Sequence, residues 1–275
     1  MKKVFALVLA LAVVFTFAAC SKKNEPAEPS EAVEPSSQPV ESSEPAESSE
    51  PVESSEPEAS EEPAAKVLTH AEYIEAALDT EVTVETYVQA KQSWWEDKAT
   101  VYTQDEDGAY FLYQMACSEE DYDKLVPGTK IRVTGYKSEW SGEVEIVDST
   151  FEIIDGNFIA EPLDVTDLLG KDELIDHQNE FVSFSGLTIE ASKDGDGKEV
   201  PFLYNWDGSG QQGDDLYFNV SVNGATYNFT VESYLCDSST DVYKAVEAFN
   251  IGDTVDLEGF LYWYEGANPH ITAVK

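Results

Sequence analysis

A glycine pattern that occurs twice restricts the fold of this chain more than any other feature. Glycines recur every seven residues in both copies: Gly128, Gly135 and Gly142 in the first, and Gly252, Gly259 and Gly266 in the second. An aromatic residue follows the middle glycine each time, Tyr136 and then Phe260. Self-similarity of this kind indicates two copies of one structural unit. We therefore expect two similar small modules rather than a single large core.

Alternating apolar and polar residues predict mainly β-structure in each module. In the first module the predicted strands are EVTVETYVQA, KATVYTQ, AYFLYQM, TKIRVTGY and EVEIV, and helical periodicity is confined to short pieces near 70–78 and 118–125. A helix between the third and fourth of five strands is the order of the OB-fold, a five-stranded Greek-key barrel. Residues 70–154 resemble the OB-fold modules of secreted and surface bacterial proteins, and 164–275 resemble them more loosely. The predicted class is all-β, with two tandem OB-fold-like barrels at 67–160 and 161–275.

The N-terminus has the three parts of an export signal. Lys2 and Lys3 precede an apolar run, which is followed by small residues and Cys20. This arrangement resembles the lipobox of bacterial lipoproteins, although Phe17 stands where leucine is usual. The resemblance implies a signal peptide at 1–19 and a lipidated Cys20 that anchors the chain to the extracytoplasmic face of the cell membrane. An ordinary cleaved signal with an incidental cysteine remains the alternative.

Residues 20–66 consist almost entirely of Glu, Ser, Pro and Ala after the cysteine. Such a segment cannot bury enough apolar surface to offset its ordering entropy, so we predict a disordered linker. Residues 67–275 contain 42 of the 55 acidic and 11 of the 16 basic residues, and 11 − 42 gives a net charge of −31. Because nucleic-acid affinity depends largely on lysine and arginine contacts to phosphate, this charge argues against nucleic acid as a partner.

The sequence contains few arrangements of residues that are typical of catalytic or metal-binding sites. The three histidines are far apart, no nucleophile or zinc motif occurs, and we expect neither an enzyme nor a cofactor or metal. Aspartate–glycine pairs near Asp105 and Asp194 are typical of hairpin turns, although a calcium loop is the alternative. Cys117 and Cys236 occupy equivalent positions in the two repeats, which favours two buried thiols over one disulfide.

Aromatic residues in predicted loops are the main candidates for ligand contact, because exposed rings stack on sugars, bases or apolar groups. The candidates are Trp94, Trp95, Tyr136, Trp140, Trp206, Tyr262, Trp263 and Tyr264. We predict a non-catalytic binding or adaptor protein for a cell-wall glycan or a surface protein. One alternative is a single-stranded nucleic-acid-binding protein, which would need a basic groove built from Lys91, Lys98, Lys130, Arg132 and Lys137. A second alternative is a hydrolase that uses an unrecognised pair of carboxylates.

Overall fold

A computed structural model describes residues 66–275 and confirms two five-stranded OB-like barrels. The first barrel closes in the strand order β1-β2-β3-β5-β4, with β3 and β5 parallel. Its strands are β1 (Glu81–Lys91), β2 (Lys98–Gln104), β3 (Ala109–Ala116), β4 (Thr129–Trp140) and β5 (Glu143–Asn157). Helix α1 (His70–Glu75) precedes the barrel, and α2 (Glu119–Lys124) lies between β3 and β4, as the OB-fold requires.

The second barrel repeats this topology. Its elements are β6 (Leu163–Asp164), two 3-10 helices (Thr166–Leu168 and Asp172–His177), β7 (Phe181–Glu190), β8 (Ser192–Lys193), β9 (Glu199–Val200), β10 (Leu203–Tyr204), β11 (Leu216–Val222), β12 (Ala225–Val231), α3 (Asp241–Glu247), β13 (Thr254–Phe260) and β14 (His270–Val274). Strands β7, β11, β12, β14 and β13 form the closed ring, and they correspond in order to β1, β2, β3, β5 and β4. Strands β8 to β10 lie in the long connection between the first and second strands of this barrel.

The repeated glycines reflect a backbone requirement at the closing strand pair. The β4–β5 register shifts beside Gly135, and the β13–β14 register shifts at Gly259. A Cβ atom at Gly135 would lie 2.5 Å from the Cβ of Ser149, and one at Gly259 would lie 2.2 Å from the carbonyl oxygen of His270. Each middle glycine therefore occupies a β-bulge that has no space for a side chain.

Each barrel has its own apolar core, and a third buried cluster joins the two barrels. The first core includes Val101, Leu112 and Ile131, and the second includes Phe184, Phe218 and Phe229. The joining cluster consists of Tyr102, Phe111 and Phe260, with Phe181 and Tyr262 packed against it. Tyr102 stacks on Phe260 with ring centroids 4.5 Å apart. Aromatic pairs in this geometry add stability beyond the area that they bury.

Cys117 and Cys236 are both buried free thiols, as the repeat predicts. Burial raises the pKa of the Cys117 thiol to about 11 and that of Cys236 to about 12, so both thiols remain protonated at neutral pH. Within residues 66–275, no helix is long and apolar enough to cross a membrane. The predicted signal peptide, the lipidated Cys20 and nearly all of the predicted linker lie outside the described residues.

Lys137 provides a test of the first barrel. Its side chain is only 6% exposed, and its Nζ atom donates hydrogen bonds to the carbonyl oxygens of Tyr73 (2.9 Å), Ile74 (2.8 Å) and Ala76 (2.9 Å) at the end of α1. We expect Lys137→Met to lower the free energy of unfolding by about 1–3 kcal/mol, because three carbonyl groups lose their donor. Chemical denaturation of the purified chain measures this change. Lys171→Met, at an exposed position, serves as the control, and equal effects of the two substitutions would contradict the assignment.

Candidate ligand-binding groove

A depression of about 460 Å³ lies beside the second and third strands of the first barrel. We call it the first groove. Its lining includes Trp95, Lys98, Thr100, Phe111, Tyr113 and Gln114 from the first barrel, and Glu232, Tyr234, Tyr262 and His270 from the second. OB-folds commonly bind ligands on this barrel face, between the loops that follow the first strand and precede the last.

Two tight turns present exposed tryptophans at this face. The turn after β1 has Glu96 and Asp97 at φ 48° and 59°, and Trp95 and Lys98 exchange backbone hydrogen bonds across it. The turn between β4 and β5 has Ser141 and Gly142 at φ 52° and 93°. Positive φ at both central residues identifies two-residue hairpin turns of type I′. Trp95, which is 67% exposed, and Trp140 precede the central residues of these turns.

A second depression, of about 550 Å³, adjoins the first, and we call it the second groove. Its lining is Trp140, Trp206, Tyr217, Thr230, Glu232, Tyr262, Tyr264, Asn268 and His270. Trp206, in the loop after β10, is 75% exposed. Trp140 comes from the first barrel and packs against Tyr264 of the second, with ring centroids 5.1 Å apart. Three residues therefore line both grooves, namely Glu232, Tyr262 and His270.

The shared centre of the grooves carries little charge near neutral pH. Burial raises the pKa of Glu232 to about 7, and its Oε2 atom accepts a hydrogen bond of 2.9 Å from Nε2 of Gln92. Burial lowers the pKa of His270 to about 3, so this imidazole is neutral. The ring of His270 stacks on Tyr262, with centroids 4.3 Å apart. The shared centre is therefore aromatic and polar, and it carries little charge.

The structure brings five of the eight predicted aromatic residues into the grooves: Trp95, Trp140, Trp206, Tyr262 and Tyr264. Trp94 instead donates from Nε1 to the carbonyl oxygen of Cys117 at 2.9 Å, which fixes the base of the turn that carries Trp95. Trp263 packs against the core of the second barrel. Tyr136 is exposed on β4 but lines neither groove.

Sequence reasoning missed several groove residues because they belong to strands. Phe111 and Tyr113 on β3, and Tyr217 on β11, occupy positions in alternating segments that are equally typical of barrel cores. Tyr234 and Glu232 follow β12, and no motif marks them. Knowledge of which strand faces border the ligand site in an OB-fold could have identified Tyr113 and Tyr217, since both lie on second or third strands.

The five basic candidates do not form one groove. Lys98 lines the first groove, where its Nζ lies 3.2 Å from Oε1 of Gln114. Lys130 and Arg132 pair with Glu85 at 2.7 Å each, and Arg132 also pairs with Glu152. Lys91 lies over the ring of Tyr122 and donates to its carbonyl oxygen, while Lys137 is buried at the end of α1. Lys98 alone of the five lines a groove, and the other four are occupied in contacts elsewhere in the first barrel.

The carboxylates of the two Asp–Gly segments stabilise their own turns. Asp105 Oδ1 accepts from the backbone N–H groups of Asp107 and Gly108, and Asp194 Oδ1 from those of Asp196 and Lys198. Across residues 66–275, no group of three or more His, Cys, Asp or Glu side chains is placed to hold a metal ion. Of the residues that line the two grooves, Glu232 is the single carboxylate.

No family model and no curated sequence matches this chain. Among solved structures, the p204 HINb domain is similar over 73% of this chain and 98% of its own, with 10% identity and a TM-score of 0.33. The Ifi202 HINa domain in complex with 20-bp double-stranded DNA is similar over 72% of this chain and 96% of its own, with 11% identity and a TM-score of 0.32. A replication protein A heterotrimer bound to single-stranded DNA matches 70% of this chain and 49% of its own, with 10% identity and a TM-score of 0.27. Likenesses this remote assign neither a family nor a function to this chain.

These structures correct one expectation from the sequence. Net charge argued against nucleic acid as a partner, yet the similar structures include domains bound to double-stranded and single-stranded DNA. The expectation rested on phosphate neutralisation, which is one of several contributions to nucleic-acid affinity. Bases also bind by stacking on aromatic side chains, and that contribution does not depend on the net charge of the protein.

Two buried glutamates at the junction of the barrels lead us to predict that the stability of the chain depends on pH. Glu143, on β5, is fully buried, and its Oε2 accepts a hydrogen bond of 2.9 Å from the backbone N–H of Trp263 in the second barrel. Burial raises the pKa of Glu143 to about 8 and that of the neighbouring Glu145 to about 7. At these two glutamates the folded chain therefore binds more protons than the unfolded chain between the ordinary glutamate pKa of 4.5 and about pH 8.

We expect these two glutamates to lower the free energy of unfolding by a few kcal/mol as the pH rises from the ordinary glutamate pKa to about 8. Glu143→Gln should flatten this decline and should be more stable than the parent chain at about pH 8.5, because a neutral amide replaces a buried carboxylate. Urea denaturation at several pH values measures the effect. Glu139→Gln, at an exposed position on β4, is the control, and parallel curves for Glu143→Gln and the parent would contradict the prediction.

Proposed function

We propose that this chain is a non-catalytic binding protein that holds the bases of single-stranded nucleic acid against the aromatic side chains of the two grooves. The observation that carries the proposal is the cluster of six exposed aromatic residues around one weakly charged centre: Trp95, Tyr113, Trp140, Trp206, Tyr234 and Tyr264. Exposed aromatic residues gathered at one site mark binding surfaces rather than ordinary surface composition. The cluster also lies on the barrel faces that bind ligands in OB-folds.

Stacking would supply most of the affinity. Each base that stacks on an aromatic side chain contributes about 1–3 kcal/mol, largely irrespective of base identity. The groove amides, Gln92, Gln114 and Asn268, could bond to base edges. Lys98, beside Trp95, is the one basic residue among those that line the grooves. Phosphate contacts are therefore few, and the strand would be held by its bases.

This arrangement implies an unusual dependence on salt. Proteins that neutralise phosphates lose affinity steeply as salt rises, because counterions are released on binding. Here the chain carries a net charge of −31 over residues 67–275 and repels the phosphates at long range. Added salt screens that repulsion. We expect affinity for a short single strand to stay constant or to increase with salt.

A neutral glycan is the second candidate ligand, and the same charge supports it. An acidic surface does not repel an uncharged sugar chain, and sugar rings also stack on tryptophan and tyrosine. The grooves offer amide and hydroxyl groups that can bond to sugar hydroxyls, including Gln92, Thr100 and Asn268. A glycan would bind the same aromatic residues as a nucleic acid and would show no systematic dependence on salt.

Binding measurements separate the two candidates. Fluorescence anisotropy of a labelled oligothymidylate of about eight nucleotides, at about 50 mM and about 300 mM salt, should show saturable binding that does not weaken with salt. Trp95→Ala should weaken binding about tenfold through the loss of one stacking partner. Tyr136→Ala is the matched control, because Tyr136 is an exposed aromatic outside both grooves. Equal losses from the two substitutions, or steep weakening with salt, would contradict the proposal, and binding of neutral oligosaccharides alone would favour the second candidate.

We also propose that the chain is a lipoprotein tethered through Cys20 to the extracytoplasmic face of the cell membrane, with residues 21–66 as the spacer. The order of Lys2 and Lys3, an apolar run and small residues before Cys20 supports this proposal. A labelled fatty acid should be incorporated into the native chain and not into Cys20→Ser, and globomycin should block processing. Release of unlabelled protein into the medium would contradict lipidation.

A further inference from the structure

The two grooves are built from equivalent parts of the two barrels. In the first barrel the lining comes from the turn after β1 (Trp95), from β2 (Thr100) and from β3 (Tyr113). In the second barrel the corresponding parts are the connection after β7 (Trp206), β11 (Tyr217) and β12 (Thr230). Each groove is thus the ligand face of one OB-like barrel. The two grooves therefore use corresponding elements of the two barrels.

The two surfaces meet without a gap. Glu232, Tyr262 and His270 belong to the lining of both grooves. Each groove is also lined by residues of the other barrel. Tyr234 of the second barrel lines the first groove, and Trp140 of the first barrel lines the second groove. Neither groove is complete in an isolated barrel.

Direct hydrogen bonds fix the two halves in register. The backbone N–H of Ser93 donates to the carbonyl oxygen of Tyr234 at 2.7 Å, beside Trp95. The N–H of Glu265 donates to the carbonyl oxygen of Ser141 at 2.7 Å, between the turns that carry Tyr264 and Trp140. The groove-bearing loops of the two barrels are therefore bonded to each other, and the combined surface exists before a ligand arrives. A preformed site costs a ligand less ordering free energy than one that must assemble.

We infer that the two grooves are consecutive subsites of one site, and that the ligand is a single linear strand that runs from Trp95, across Tyr262 and His270, to Trp206. The inference rests on the proposed function and adds to it a polymeric ligand with a minimum length. A monomer or a very short strand fills one subsite. A longer strand contacts both subsites. Because its second contact forms within the same complex, the overall affinity rises even though the contacts in each subsite are unchanged.

A length series tests this inference. Oligothymidylates from about two to about twelve nucleotides are titrated into the full chain, the single variants Trp95→Ala and Trp206→Ala, and the double variant, with Tyr136→Ala as control. For the parent chain, affinity should rise by at least about tenfold above a threshold length and then level off. Each single variant should lose that gain and keep the affinity of short strands for the intact subsite. The double variant should lose binding at all lengths.

The outcomes distinguish this inference from the function on which it rests. Strands that bind with an affinity independent of length, or long strands for which only one of Trp95 and Trp206 matters, would overturn the two-subsite inference and leave the binding function in place. Absence of binding at every length would overturn both. A length-dependent gain for neutral oligosaccharides, with none for oligothymidylates, would overturn the assignment to nucleic acid and with it the inference as stated.

Discussion

The stacking of Tyr102 on Phe260 is the contact on which the candidate site depends. Tyr102 lies on the second strand of the first barrel, Phe260 ends the fourth strand of the second, and both side chains are buried. Because this contact covers part of the first barrel's ligand face, it sets where the remaining open part lies. It also brings Tyr262, two residues beyond Phe260, into contact with Phe111. It therefore helps to hold in place the residues that each barrel supplies to the groove of the other.

The same contact explains why equivalent residues of the two modules have different surroundings. Phe260 follows the middle glycine of the second repeat, and its counterpart in the first repeat is Tyr136. Phe260 is 3% exposed at the junction, whereas Tyr136 is 44% exposed. The two barrels do not meet symmetrically at this position, so Phe260 is buried at the junction while Tyr136 remains on the surface. Equivalence in sequence therefore predicts equivalent folds but not equivalent roles.

Local backbone requirements were predictable from the sequence, and packing between barrels was not. Gly135 and Gly259 are recognisable because no other residue fits the bulge at the closing strands, and this demand is local. Lys137 looked like part of a basic surface, yet its ammonium group binds the end of α1, more than sixty residues earlier in the chain. Trp94 and Trp95 are adjacent and chemically identical, and only the direction of the turn separates a half-buried, hydrogen-bonded ring from an exposed one.

The net charge of the chain does not describe the grooves, because it counts charges without locating them. Most acidic residues of the chain lie elsewhere, while the groove lining has Lys98 and a carboxyl, Glu232, that is partly protonated at neutral pH. Electrostatic repulsion between exposed charges fades within about 10 Å at ordinary salt, whereas stacking acts at contact. A strand that has crossed the repulsive outer field would meet a nearly neutral aromatic surface. The acidic surface outside the grooves would then lower the association rate of a strand and restrict which strands bind. The contacts in the grooves would determine the affinity of the strands that do bind.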